Sequence, residues 1–158
     1  NITPMIPFCR TPEEGRQVLE VMKENGLDRK KDKSLKVYVM CEIPSNILRA
    51  DEFLNLFDGM SIGSNDLTQL TLGLDRDSEI IAHIGNEKDA SVIELITRTI
   101  EICRKRNKYV GICGQAPSDH QGFAELLVRE GIESISLNPD TVIPAILRIA
   151  KEEKRRKK

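Results

Sequence analysis

Tryptophan is absent from the chain, histidine occurs only twice, and aromatic residues make up 4% of it. No apolar run approaches the length of a membrane-spanning helix, about 20 residues. Cys9, Cys41, Cys103 and Cys113 are scattered without C-x-x-C spacing. That argues against a zinc site or a disulfide framework and reads as the free thiols of a cytoplasmic protein. Neither sign of charge dominates: the net charge of −1 gives no general attraction to nucleic acid or to a membrane surface. No G-x-G-x-x-G follows an apolar run, so a dinucleotide-binding fold has no support. Low-complexity tracts are missing as well.

What remains is 158 residues with 39% hydrophobic and 31% charged content, enough for one domain with a real core. The chain starts at Asn1 without Met and enters an apolar run almost at once, which leads us to expect the carboxyl-terminal piece of a longer polypeptide. Short apolar runs alternate with helical patterns throughout. Strands are expected at 2–8, 36–41, 59–62, 109–112 and 134–137. Thr11-Pro12-Glu13-Glu14 is a capping box opening a helix with Val18, Leu19 and Met22 inward, closed by Gly26. A charged surface connection runs from 28 to 36. A second helix is expected over 45–57, with Leu48, Phe53, Leu54 and Phe57 near one face. The clearest helix spans 90–106, where Val92, Ile93, Ile96, Ile100 and Cys103 recur at helical spacing above a basic end. Helices over 122–130 and from about 141 complete the series, the last with Ile143, Ile146, Leu147 and Ala150 inward. It is expected to fray into a basic tail, 151–158, so that 1–150 form the domain. Five strand–helix units in succession imply parallel strands with right-handed crossovers, buried on both faces. The fold class is α/β, read as part of a (β/α)8 barrel.

Polar residues cluster just past several strands: Glu42, Asn65 with Asp66, Cys113 with Gln115, and Asn138. In a barrel all of these lie on the carboxyl-terminal face, where active sites are built. The stretch from Ser61 to Gln69 is central. Gly63, Ser64, Asn65 and Asp66 offer backbone N–H groups, a hydroxyl, an amide and a carboxylate within one turn, a set suited to a small anion and an oxygen-loving cation. The plainer alternative is that Ser64 or Asn65 caps a helix whose positive end favours Asp66. Glu42 and Asp66 can share one hard cation, or Glu42 is an ion-paired strand end. Cys113, between small residues, is either an acid–base thiol or a buried structural one. Cys103 reads as core, and Cys9 and Cys41 carry no neighbouring signal. His83 and His120 read as solvated loop residues. Arg10 and Arg76 are the arginines nearest the expected face and stand as contacts for an anionic substrate.

Taken together, 41–44 (Cys-Glu-Ile-Pro), 62–69 (Ile-Gly-Ser-Asn-Asp-Leu-Thr-Gln), 111–115 (Gly-Ile-Cys-Gly-Gln) and 136–140 (Ser-Leu-Asn-Pro-Asp) resemble the phosphoenolpyruvate-utilising enzymes, in order and over essentially the whole chain. The runs 113–119 and 71–77 resemble the synthase branch of that family; the dikinase and enzyme I branches usually carry Glu where this chain has Gln115. The resemblance implies a transferase with a phosphoryl relay. ATP phosphorylates a histidine on a separate swivelling domain, and the phosphohistidine delivers its group to pyruvate on the barrel; the acceptor of the second phosphate, water or inorganic phosphate, is decided on domains outside this chain. It implies Mg²⁺ held by Glu42 and Asp66, contacts from Gly63, Ser64 and Asn65 to pyruvate or phosphoenolpyruvate, and Cys113 as the acid–base residue at the methyl carbon. It also implies that the early barrel strands, with the arginines that grip the phosphoryl group, lie outside this chain. The same holds for the phosphohistidine and ATP-binding domains. An open five-strand piece leaves two unpaired edges, from which we expect association into homo-oligomers. A half-barrel that serves only in assembly is the non-catalytic alternative.

Overall fold

The computed structural model describes residues 2–75, 78, 80–81 and 84–156. Its centre is a parallel sheet of five strands in sequential order, β1 (Met5–Ile6), β2 (Tyr38–Cys41), β3 (Gly59–Gly63), β4 (Tyr109–Cys113) and β5 (Ser134–Ile135). Between them run α1 (Pro12–Glu24), α2 (Pro44–Leu48), α3 (Ala50–Leu56), α4 (Ser64–Leu72), α5 (Ala90–Lys105), α6 (Ala116–Asp119) and α7 (Phe123–Glu130), with α8 (Val142–Arg156) last. The expected α/β architecture of consecutive strand–helix units is therefore present. β1 and β5 are the sheet edges, and both are only two residues long, shorter than the apolar runs that announced them.

Strand alternation divides the sheet into two faces. Val39, Cys41, Met60, Ile62, Val110 and Ile112 point toward the helices and join Ile96, Ile100, Phe53 and Leu127 in one core. Each such side chain contributes about 1.5–3 kcal/mol through burial. The other face carries Tyr38 and Met40 on β2, Gly59, Ser61 and Gly63 on β3, and Tyr109, Gly111 and Cys113 on β4. Small residues in β3 let the neighbours lean across it. Tyr38 and Tyr109 stack over Gly59 with ring centroids 4.3 Å apart, and a Cβ on Gly59 would lie 2.7 Å from Cβ of Tyr109.

The helices follow their local signals. Thr11 Oγ1 accepts from Glu14 N at 3.2 Å, and Glu14 Oε2 accepts from Arg10 N at 2.7 Å, one residue beyond the usual capping-box partner. Asp89 caps α5, accepting from Ser91 N at 2.8 Å, and Val92, Ile96, Ile100 and Cys103 are buried as their spacing predicts. The connection over 28–36 does more than carry charge: Arg29 pairs with Asp58 at 3.2 Å and donates to Leu56 O at 2.6 Å.

Three expectations about the helices fail. The single helix expected over 45–57 is two, broken at Arg49 (φ −114°, ψ 23°), and Ile47 rather than Leu48 enters the core while Leu48 stays exposed. In α8 the apolar stripe faces outward: Ile143 is 68% and Leu147 62% exposed, with Ile146 and Ala150 exposed beside them. The periodicity of α8 is sound, but the helix lies against α7, through buried Ala145 and the pairs Arg148–Glu125 (3.0 Å) and Arg129–Glu152 (3.4 Å). The helix also continues to Arg156 instead of fraying at 151.

Candidate active site at the ends of the strands

Glu42, Gly63 to Asp66 and Cys113 converge where β2, β3 and β4 end. Glu42 continues the alternation of Tyr38 and Met40 and lies across Gly63, where an added Cβ would be 2.7 Å from Glu42 Oε2. Its side chain is nearly buried, at 5% exposure, and Oε1 accepts from Phe8 N at 2.7 Å. Phe8 holds a left-handed backbone (φ 49°), a costly conformation for a bulky residue. Asn46, fully buried, fixes the backbone on both sides. Its Oδ1 accepts from Glu42 N (3.2 Å) and Ile43 N (2.9 Å), while Nδ2 donates to Cys9 O (2.7 Å). Burial pushes the Glu42 carboxyl above the ordinary range; the Phe8 amide opposes this, and the Asp66 charge adds to it.

At the β3–α4 corner the helix starts on Ser64 itself, with Gly63 as the cap residue and no side chain closing the first turn. Neither Ser64 nor Asn65 is therefore a capping residue, and the first-turn N–H groups are left for another acceptor. Gly114, at φ 105°, approaches this corner so closely that a Cβ there would collide with Ser64 Oγ and sit 3.1 Å from Asn65 Oδ1. Asn65 Oδ1 in turn accepts from Gln115 N at 3.2 Å, tying the end of β3 to the end of β4.

Cys113 pairs in register with Gly63 and is half-buried, whereas Cys9, Cys41 and Cys103 are buried. Ser61 Oγ donates to Cys113 Sγ at 3.8 Å. Burial pushes the thiol up, the Ser61 hydrogen bond opposes it, and the charges of Glu42 and Asp66 raise it further. Cys113 and the two carboxylates thus share one electrostatic environment.

The remaining candidates make other contacts. Arg10 pairs with Glu14 at 3.4 Å and lies 5.2 Å from the centre of the Phe8 ring. Arg76 and His83 lie outside the described residues. His120, expected to be solvated, instead meets Glu87 Oε2 at 2.7 Å, joining α6 to the segment before α5. Asn138 takes part through its backbone, which donates to Ser118 Oγ at 2.8 Å. A cavity of about 160 Å³ beside the corner is lined by Asn65, Thr68, Gln69 and Gln115 among others. A larger trough of about 1190 Å³ lies at the opposite end of the strands, among charged residues of α5 such as Arg98 and Glu101, and contains none of the site residues. Sequence reasoning missed Asn46 and Ser61. Asn46 had a signal, since an Asn following Glu-Ile-Pro-Ser reaches back to the strand end; Ser61 had only its alternation with Gly59 and Gly63.

The family model for PEP-utilising enzyme, PEP-binding domain, matches residues 1–154. The chain belongs to that family. It is similar to the phosphoenolpyruvate synthases of Helicobacter pylori (56% identical over 154 residues) and Synechocystis (57% over 154 residues), each match covering 98% of this chain and 19% of the relative. The phosphoenolpyruvate synthase of Escherichia coli is 51% identical over 154 residues, again 98% of this chain and 19% of the relative. The chain thus spans about a fifth of the length of these curated relatives. Among the described residues no helix is long and apolar enough to cross a membrane.

PEP-utilising enzymes generally use Mg²⁺. Among the described residues no three His, Cys, Asp or Glu side chains gather as a metal cluster. The donors at this corner are two carboxylates, which is the usual protein share of a Mg²⁺ shell completed by substrate oxygens and water. Burial and Asp66 both hold the Glu42 carboxyl up, and a divalent cation between the two would relieve that tension. That donor chemistry suits the ion.

Proposed function

We propose that this chain is the pyruvate- and phosphoenolpyruvate-holding portion of a phosphoenolpyruvate synthase. The whole protein would convert ATP, pyruvate and water into phosphoenolpyruvate, AMP and phosphate through a phosphohistidine carried on another part of it. The observation that carries the reading is the convergence of Glu42 and Cys113 on Gly63 at the strand ends, where Cys113 is in register with Gly63 and Glu42 lies across it.

In this reading Glu42 and Asp66 would hold Mg²⁺, which would supply Lewis-acid stabilisation to a developing enolate. The open first turn of α4, at Gly63, Ser64 and Asn65, holds the pyruvate carboxylate by backbone N–H groups. Cys113 as thiolate takes a proton from the methyl carbon and, as thiol, returns it in the reverse direction. Phosphoryl transfer then needs mainly positioning and charge neutralisation. The open edges β1 and β5 and the outward stripe of α8 support association with further copies or with the rest of a longer protein.

Exchange of pyruvate methyl protons in D₂O tests the roles, using the chain and its Cys113→Ala variant with and without Mg²⁺. Enolisation requires the metal, the carboxylate cradle and the thiol, but no ATP. Exchange that needs Mg²⁺ and vanishes in the variant is expected. Equal exchange without Mg²⁺, or in Cys113→Ala, overturns the assigned roles. No exchange from a folded chain overturns the idea of a working partial site and favours the assembly reading, which the two open edges support.

A further inference from the structure

We propose that Ser61 is the positioning residue for Cys113, its hydroxyl donating to Sγ and holding the sulfur beside Gly63 at the end of the sheet. The inference rests on the proton-transfer role given to Cys113 above. Register supplies the geometry. Ser61 pairs with Met40 on one side and Gly111 on the other, and Cys113 pairs with Gly63. Ser61 and Cys113 are therefore diagonal neighbours on one face, and the other two corners of that patch are Gly63 and Gly111. Neither glycine has a side chain to intervene or to offer a competing partner, so the hydroxyl reaches the sulfur at 3.8 Å.

Ser61 is 5% exposed, and a buried hydroxyl that loses its partner is costly. A second hydroxyl–thiol contact in the chain shows the contrast. Thr99 Oγ1 lies 3.5 Å from Cys41 Sγ but is committed to Leu95 O of its own helix at 2.8 Å. Ser61 has the sulfur as its hydrogen-bond acceptor. A neutral thiol is a weak acceptor and a thiolate a strong, charged one, so this contact strengthens when Cys113 gives up its proton. It therefore favours the form of the residue that accepts a proton from carbon, and it fixes where that sulfur points.

The test compares Ser61→Ala and Ser61→Thr with the parent chain in two measurements. The first is Mg²⁺-dependent methyl exchange at varied pyruvate. The second is the pH profile of Cys113 alkylation by iodoacetamide, without pyruvate or Mg²⁺, located by peptide mass spectrometry. Ser61→Ala is expected to lower the maximal exchange rate by about tenfold, the scale of one charge-assisted hydrogen bond, with half-saturating pyruvate moved less than about twofold. It is also expected to shift alkylation to higher pH, and Ser61→Thr, which keeps the hydroxyl, restores both readouts. An unchanged alkylation profile in Ser61→Ala overturns the proposal, and so does a threonine variant no better than alanine. If the parent chain shows no exchange, the role of Cys113 in proton transfer fails, while the alkylation profile still decides whether Ser61 governs the sulfur.

Discussion

Phe8 donates its backbone N–H to Glu42 Oε1 at 2.7 Å from a left-handed backbone with φ 49°. The segment just past β1 therefore reaches the site through its backbone. A strained residue holds a donor on a buried carboxylate that would otherwise be poorly solvated, and Asn46 locks the peptide groups behind it. Glu42 is kept charged-capable in a place where burial and Asp66 both favour its neutral form.

That tension has a sign. The folded chain binds the Glu42 proton more tightly than the unfolded chain does, so stability falls as pH rises from the ordinary Glu value through the raised folded one. Glu42→Gln should raise the melting temperature at about pH 7 and change it little at about pH 3, where Glu42 is protonated in both states. Mg²⁺ should stabilise the parent and leave the variant unmoved. Thermal denaturation at both pH values, with and without Mg²⁺, checks this; a less stable Glu42→Gln at neutral pH sinks it.

The thiols should separate by reactivity. Burial pushes Cys41 and Cys103 each up to about 12 and raises Cys9, while half-buried Cys113 is the accessible one. Iodoacetamide near pH 8 should label Cys113 in the folded chain, faster as pH rises, and all four cysteines only in denaturant. Labelling of Cys41 without unfolding would contradict its burial beside Thr99 of α5.

Asn46→Ala should be among the most destabilising substitutions near the site. It leaves the N–H groups of Glu42 and Ile43 and the Cys9 carbonyl without their buried partner, a loss of about 2–4 kcal/mol. Urea denaturation measures the change, and a loss no larger than that of an ordinary surface substitution would show that water replaces the amide.

Two glycines with similar backbones should behave differently. Gly26 (φ 92°) has open space where a Cβ would go, whereas at Gly114 (φ 105°) a Cβ meets Ser64 and Asn65. Gly26→Ala should cost only the backbone strain, about 1–3 kcal/mol, and leave pyruvate exchange intact. Gly114→Ala should carry the same strain and abolish exchange by displacing the α4 corner. Equal exchange in both variants would remove Gly63 to Asn65 from the carboxylate cradle.

The open edges and the α8 stripe should show in sedimentation. Average mass is expected to rise with concentration, and a double change of Ile143→Glu with Leu147→Glu should reduce that rise. A concentration-independent monomer in the parent chain would refute self-association.

The order of strands and helices was legible because strand runs and helical stripes differ in period, and because Thr11 and Gly26 mark helix ends by chemistry that acts locally. The grouping of Glu42, Gly63 and Cys113 was legible for a related reason: each directly follows or ends a strand, and parallel strands in sequence bring their ends together. What the pattern did not reveal depends on tertiary partners. The inward face assigned to α8 assumed something beneath it, and the helix instead rests on α7 through Ala145. Ser61 and Asn46 are ordinary polar residues until β4 places Cys113 beside the one and the connection after β1 places the Cys9 carbonyl beside the other. His120 looked solvated because its partner, Glu87, comes from a distant segment.

The outward stripe of α8 also bears on how the chain unfolds. Heat-capacity change and denaturant sensitivity scale with surface newly bared on unfolding, and Ile143, Ile146 and Leu147 are already bare in the native state. The chain is therefore expected to melt over a broad range, with a shallow denaturant slope and a flatter stability curve than a closed domain of its length. Any surface that comes to cover the helix would sharpen the transition by that helix's share of apolar area, so calorimetry alone could report its arrival.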